Sequence, residues 1–435
     1  MRPRRVMIQG LAVLACGFAV GCAQWGSQDS TPSASEYTAA AVRRLSNGNV
    51  SQAEDMLLRA RALFPENEMV LRWSAHVMQM QRQNLEAVDA LLTLSRFEQL
   101  ETVSLAELRG QIGDLLFAVG RYGESFTYLR AGSFGESRNH RAAKAMIIRA
   151  MPYVARSLNY GDGEVELISG PWPEMLCQLG SKTRRCLVDS GSSMSTLTQS
   201  LAEEVGVTDI IEFGTVRDSM GREHTARIGA LPGLTVGGVD IGPMPIVIVE
   251  DERLAIRDPF GGPDNPPEAL IGLDVLSRFR VSLDLRQNLA TFRRPQGLVA
   301  LKAESCLFVD GCYLLPIQVD GVRMWFILDT AASHSSLTNA GLRILPGGAR
   351  RVIPDHRPKA NIRQFISRKV SGLVFETSRV KFTNIELPVV ERLASGEFPV
   401  HGVFGADLLQ HCRMTMERGK VLLEQVAKAQ RTPRD

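Results

Sequence analysis

Two aspartates, Asp189 and Asp329, each close an apolar run and open a stretch of small residues. The segments are Leu187-Val188-Asp189-Ser190-Gly191-Ser192-Ser193 and Ile327-Leu328-Asp329-Thr330-Ala331-Ala332-Ser333. A carboxylate at the end of a buried strand is costly to desolvate unless donors converge on it. A turn of Gly, Ala and Ser lets backbone amides do so, and lets a second chain approach closely. Two such carboxylates brought together cannot both ionise readily, so one keeps a proton while the other is charged. That state can take a proton from water and give one to an amide leaving group. Ser190 and Thr330 follow the aspartates directly, and their hydroxyls can bond from one loop to the other.

The two loops sit inside a longer internal repeat. Cys177-Gln178-Leu179, a turn and Cys186-Leu187-Val188-Asp189 match Ile317-Gln318-Val319, a turn and Phe326-Ile327-Leu328-Asp329 without a gap. Ser195 to Thr198 then matches Ser335 to Thr338, and Val239 to Glu250 matches Val380 to Glu391. Ile271-Gly272-Leu273-Asp274-Val275-Leu276 answers Phe404-Gly405-Ala406-Asp407-Leu408-Leu409, and Arg280 to Asp284 answers Arg413 to Glu417. Short β-branched and Leu-rich runs between Gly, Pro, Asn and Asp make each copy a β-rich unit. A pseudo-twofold pairing of the copies would juxtapose Asp189 and Asp329.

These loops, with the later Leu270-Ile271-Gly272 and Val403-Phe404-Gly405 elements, resemble the aspartic peptidases, specifically retropepsin-like lobes joined in one chain. The resemblance covers about residues 165–295 and 310–425. It implies an all-β double-lobed fold and endoproteolysis of a protein or peptide substrate, with no cofactor, metal or covalent intermediate. It also implies that Asp189 and Asp329 are the catalytic pair. Ser190, Gly191, Ser192, Thr330 and Ala331 would support the loops, with Ser190 and Thr330 interlocking through their hydroxyls. A hairpin flap is expected near Thr215–Ile228 with Met220 and Gly221 at its tip, and a second near Arg351–Val370. One departure stands out. Ala331 occupies a position where the family has Gly, and a requirement for φ > 0 or for direct substrate contact there would cost on the order of 1 kcal/mol or more. The alternative outcome is a degenerate lobe, and with it a non-catalytic, peptide-binding envelope scaffold.

Ahead of the β units, about residues 36–158 are rich in Ala, Leu, Arg, Gln and Glu at helical spacing. Ala87 and Leu91 repeat Ala53 and Leu57 at the 34-residue period of tetratricopeptide units, and Gly113, Ser125 and Leu129 suggest a third, slightly out of phase. The segment resembles such an array. It implies either a concave surface for a protein partner or a helical spacer.

Residues 1–22, MRPRRVMIQGLAVLACGFAVGC, are a basic start, a short apolar run and small residues ending in Cys. They read as a secretory signal, and Ala19-Val20-Gly21-Cys22 resembles the lipobox of bacterial lipoproteins. The expectation is a chain lipidated on Cys22, tethered by residues 22–35 and held in the bacterial cell envelope. Ala23 after the Cys favours the outer membrane, facing the periplasm. The full division expected is 1–21 signal peptide, 22–35 tether, 36–158 helical domain, 160–298 first lobe, 305–427 second lobe and 428–435 tail.

The 435 residues carry 50 Lys and Arg against 47 Asp and Glu, with 44% hydrophobic residues. That apolar content excludes a wholly disordered chain. Arg2, Arg4 and Arg5 lie in the signal segment, which holds no acidic residue, so the remainder is formally neutral and nothing points to nucleic acid. Cys177, Cys186, Cys306, Cys312 and Cys412 remain after Cys16 and Cys22. Cys177–Cys186 and Cys306–Cys312 bridges and buried free thiols are equally consistent with the spacing. There is no CxxC, HExxH or Gly-x-Ser-x-Gly, so neither metal nor serine chemistry is expected.

Overall fold

The computed structural model describes residues 32–46, 48–97, 100, 103–131, 138–151, 161–217, 223–254, 267–298, 303–347, 352–354, 368–390 and 398–425. The signal segment, Cys22 and the C-terminal tail lie outside the described residues.

Seven helices come first: α1 (Ala34–Ser46), α2 (Val50–Leu63), α3 (Glu68–Met80), α4 (Asn84–Leu94), α5 (Leu105–Ala118), α6 (Tyr122–Ala131) and α7 (Arg138–Ala150). Asn67 and Ser104 cap α3 and α5 by accepting from the Val70 and Glu107 amides, which fixes where those helices start. The second helix of each pair buries a small residue and, one turn later, a Leu: Ala53 and Leu57, Ala87 and Leu91, Ser125 and Leu129. The third pair falls out of phase because residues 95–104 connect α4 to α5. A Cβ on Gly113 of α5 would lie 2.8 Å from Leu129, so the missing side chain sets how closely α5 and α6 approach. Among the described residues, helix α7 is not followed by a second helix of a pair. It is held to α5 by Arg141, which is 4% exposed and donates to Glu107 and Asp114, with Lys144 completing the Asp114 pair at 2.8 Å.

The first β unit runs β1 (Gly163–Ile168), β2 (Glu174–Leu179), β3 (Lys182–Val188), β4 (Thr196–Thr198), α8 (Gln199–Glu204), β5 (Thr208–Arg217), β6 (Glu223–Val236), β7 (Val239–Val249), α9 (Asp251–Leu254), β8 (Ala269–Ile271), α10 (Leu273–Leu276), β9 (Arg280–Asp284) and β10 (Leu289–Arg293). The second opens with β11 (Glu304–Ser305) and β12 (Leu307–Val309). It then repeats the plan: β13 (Cys312–Val319), β14 (Val322–Leu328), β15 (Ser336–Thr338), α11 (Asn339–Ile344), β16 (Val352–Pro354), β17 (Arg368–Glu376), β18 (Lys381–Val390), β19 (Gly402–Phe404), α12 (Ala406–Leu409), β20 (Cys412–Glu417) and β21 (Lys420–Gln425).

Sheet order states the duplication in three dimensions. The run β3-β8-β4-β7-β6-β5 in the first lobe is matched by β14-β19-β15-β18-β17-β16 in the second. The lobes are joined by a shared sheet in which β9 pairs antiparallel with β20, Ser282 opposite Thr415, and the two hydroxyls meet at 2.7 Å. Strand alternation then gives each lobe two faces. Cys186 and Val188, Ala269 and Ile271, Met324, Phe326 and Leu328 all enter one core. Leu187 and Leu270 in the first lobe, and Trp325, Ile327 and Val403 in the second, point the other way into separate clusters. Asp189 and Asp329 share parity with the second set, so they stand on the faces turned away from the core.

The five described thiols are free, and Cys177, Cys186, Cys306 and Cys412 are buried. The helices are not held apart from the lobes; they pack directly on both.

Candidate active site

Each aspartate is positioned by its own lobe. The Asp189 amide donates to the Ile271 carbonyl at 3.0 Å and the Asp329 amide to Phe404 at 3.1 Å, tying both loops to the apolar strand before each Gly. The loop then crosses that Gly. A Cβ on Gly272 would lie 2.6 Å from the Met194 carbonyl carbon, and one on Gly405 2.7 Å from the Ala332 oxygen. Only glycine leaves room for the crossing, which explains the repeated apolar-apolar-Gly element.

The lobes are then locked together. The Ser190 amide donates to Thr330 Oγ1 at 3.0 Å, and Ser190 Oγ donates to the Leu328 carbonyl at 2.9 Å. Reciprocally, the Thr330 amide donates to Ser190 Oγ at 3.1 Å, and Thr330 Oγ1 donates to the Val188 carbonyl. Both residues are fully buried. Four reciprocal bonds with no solvent competition give this crossing a single geometry.

Across the lock, the carboxyl groups come together. Asp189 Oδ1 accepts from the Gly191 amide at 2.8 Å and Oδ2 from Ser192 Oγ at 2.6 Å. Asp329 Oδ1 accepts from the Ala331 and Ala332 amides at 2.9 and 3.0 Å. A Cβ on Gly191 would lie 2.7 Å from Asp329 Cγ and 2.9 Å from each of its carboxyl oxygens. The backbone that holds one carboxylate is thus in contact with the other. Burial pushes the Asp189 carboxyl above its usual range, against the pull of the Ser192 hydroxyl and the Gly191 amide. The two carboxyls differ chemically: Asp189 has the Ser192 hydroxyl as a donor, and the matching position of the second loop is Ala332, which has only its amide to give.

The left-handed backbone that would strain Ala331 is not adopted. Ala331 is absent from the described residues with positive φ, and its amide does for Asp329 what that of Gly191 does for Asp189. Its methyl joins an apolar cluster with Trp172, Leu187 and Ala406.

The strands flanking the first expected flap form an antiparallel hairpin, β5 with β6, Arg217 opposite Glu223. Its tip, with Met220 and Gly221, lies outside the described residues. So do residues 355–367 of the second, whose flanking strands β16 and β17 pair from Val352–Val370 to Pro354–Arg368.

Three features escaped the sequence reading. Asp274 Oδ1 accepts from the Ser195 amide at 2.8 Å and hydroxyl at 2.7 Å, and Ser195 Oγ accepts from the Gly272 amide. Asp407, Ser335 and Gly405 repeat the arrangement in the second lobe. The available signal was an Asp two residues after each element Gly and a Ser six residues after each loop Asp. The third is Cys312, whose thiol donates to the Gly191 carbonyl at 3.2 Å. Burial, with Asp329, Asp189 and Asp310 nearby, pushes that thiol up to about 12.

Compared with known proteins, residues 176–275 match the family model described as aspartyl protease. No curated protein matches. Among solved structures, the chain is similar to a retropepsin-like aspartic protease from Rickettsia conorii at 16% identity, covering 31% of this chain and 91% of that one, with a TM-score of 0.23. It is also similar to the retroviral protease-like domain of Ddi1 from Leishmania major at 21% identity, covering 32% and 89%, with a TM-score of 0.16. The matched residues 176–275 hold Asp189 and the Gly272 element, so the similarity to the aspartyl protease family falls on the first lobe.

Proposed function

We propose that the chain is an aspartic endopeptidase of the bacterial cell envelope, with Asp189 and Asp329 as its catalytic pair. The observation that carries this is the contact between Gly191 and the Asp329 carboxyl, while the same glycine's amide holds Asp189. The pair shares one proton. The charged member takes a proton from a water lying between the carboxyls as the water oxygen attacks the substrate carbonyl. The protonated member gives its proton to the developing oxyanion, forming a gem-diol; as the C–N bond breaks, the pair protonates the departing nitrogen and takes a proton back from one diol hydroxyl, which restores the shared proton. Burial of Asp189 disfavours its charge and so favours the half-protonated state. No covalent intermediate or cofactor enters this scheme.

The N-terminal helices read as a tetratricopeptide-like array, supported by the recurrence of a buried small residue and Leu in α2, α4 and α6. Residues 1–21 read as a lipoprotein signal, with Cys22 as the lipidated residue and the outer membrane as the anchoring site. Expressed with its leader in a bacterium that carries the lipoprotein-processing machinery, the chain should label with palmitate and fractionate with outer membranes. Cys22→Ser should abolish the label.

The test of catalysis is direct. Asp189→Asn and Asp329→Asn should each lower kcat/KM on an unfolded protein by roughly 10²–10⁴-fold or more with the fold unchanged by circular dichroism. Full cleavage by both variants would remove the pair from the mechanism.

A further inference from the structure

The face of each lobe that bears its aspartate is covered by the helices that precede it. In the first lobe, strand pairing carries one face outward from the aspartate without a break in parity: Leu187 opposite Leu270, Leu270 opposite Thr196, Thr196 beside Val247, Val247 opposite Ile228, Ile228 opposite Ile211. Leu187, Leu270, Val247, Ile228 and Phe213 of this face form one apolar cluster with Phe117 of α5, Leu129 of α6 and Ile147 of α7. The His140 ring of α7 lies 4.8 Å from the Phe213 ring, and a Cβ on Gly214 would meet His140 Nε2 at 2.9 Å. Ala143 and Ile147 follow His140 at helical spacing, so the same stripe of α7 runs along the hairpin strands.

The second lobe is covered in the same sense by the other end of the array. Leu307, Leu314, Ile327 and Val403 are neighbours on the Asp329 face. They cluster with Leu45 of α1, Ala53 and Leu57 of α2 and Val77 of α3. A Cβ on Gly48, between α1 and α2, would lie 2.9 Å from Nε1 of Trp325, which shares this face. A third cluster, from Leu71 and Ala75 of α3 through Leu91 of α4 to Leu108 and Ile112 of α5, makes the array continuous between its two contacts.

An extended peptide presented to Asp189 and Asp329 needs the apolar side chains of these same faces for its own side chains. We infer that the helical array is a built-in occluder, docked on the dyad-bearing faces of both lobes, and that protein substrates gain the cleft when it swings away. This rests on the peptidase reading for the identity of the cleft, but the occlusion itself is a statement about access. Where the array is docked in all but about one molecule in a hundred, apparent affinity for a peptide falls about 100-fold below that of the open form.

The test uses the full-length chain and, as probe, fluorescein-labelled α-lactalbumin kept unfolded by reduction and carboxymethylation. Binding is read by anisotropy in an Asp189→Asn background, and cleavage is read with Asp189 intact. Two variants move the array in opposite directions. His140→Glu with Ala143→Glu loosens α7 from the hairpin; His140→Cys with Phe213→Cys, joined by dibromobimane, fixes it there. The expected result is at least tenfold tighter binding by the loosened chain, loss of binding on cross-linking, and cleavage that follows the same order. A loosened chain that melts cooperatively yet binds no tighter than its parent overturns the inference, as does a cross-linked chain that binds as well as the uncross-linked one. Should the loosened chain fail to fold, the cross-linked pair decides alone. Binding that responds as expected with no cleavage in any form would uphold the occlusion and sink the peptidase reading.

Discussion

At Gly191 and Ala331 the two halves of the chain solve one problem differently. A methyl on Gly191 would press on the Asp329 carboxyl at 2.7 Å, so Gly191→Ala should reduce turnover by about 10²-fold and cost on the order of 1–3 kcal/mol by overpacking. Ala331→Gly should leave turnover within a few-fold, because no left-handed backbone is being relieved, and should lower stability by about 0.4–1 kcal/mol through the freer unfolded chain. Steady-state kinetics and urea unfolding check both. Asp189 makes a pH prediction. Its carboxyl is raised by burial, so the folded chain holds its proton more tightly than the unfolded one. Its contribution to stability is therefore full below the unfolded carboxylate range and is lost as pH rises through the elevated value. Asp189→Asn should raise the melting temperature at pH 7 and lose that advantage toward pH 3. The aspartates, the Ser–Thr lock and the awkward Ala331 were all legible as residue types. The conformation at Ala331 was not, since an alanine letter does not reveal φ.

Strands and helices were legible where a period or a repeat announced them. The matched blocks around Ser195 and Ser335, and around Gly272 and Gly405, reappear as identical strand orders. The work of Asp274 and Asp407 was hidden because the carboxylates serve loops 79 and 72 residues away. Asp274→Ala should strand the buried Ser195 amide and hydroxyl and the Val275 amide, a loss of roughly 2–4 kcal/mol, while the more conservative Asp274→Asn should lose less. Denaturant midpoints would separate the two. Arg141 is a comparable case in the array. Truncating it to Ala takes the Arg141 bonds from Glu107 and leaves Asp114 with Lys144 alone; because both carboxylates are partly exposed, the cost should be about 1–3 kcal/mol. Helix periodicity predicted that α7 is a helix, and nothing in it foretold that α7 would rest on a β-hairpin.

On the scale of the molecule, the joining sheet is what composition and local pattern could least anticipate. Pairing β9 with β20 requires strands at the ends of the two repeats, and β21 then bridges β20 to β11. Val421, Leu422 and Leu423 of β21 are buried, so removing the chain from Lys420 onward should abolish cooperative melting of the whole β region. Docking of the array was equally out of reach, because apolar helix positions look the same whether they meet another helix or a sheet. The single-chain lock between Ser190 and Thr330 has a consequence for assembly. An active centre made by two separate half-proteins dissolves on dilution, whereas here the second half is always present at a concentration set by the connecting chain. Specific activity should therefore be independent of protein concentration down to the lowest amount assayed. Freed from being identical, the halves could also acquire unlike partners for their carboxylates, which is the difference between Ser192 and Ala332.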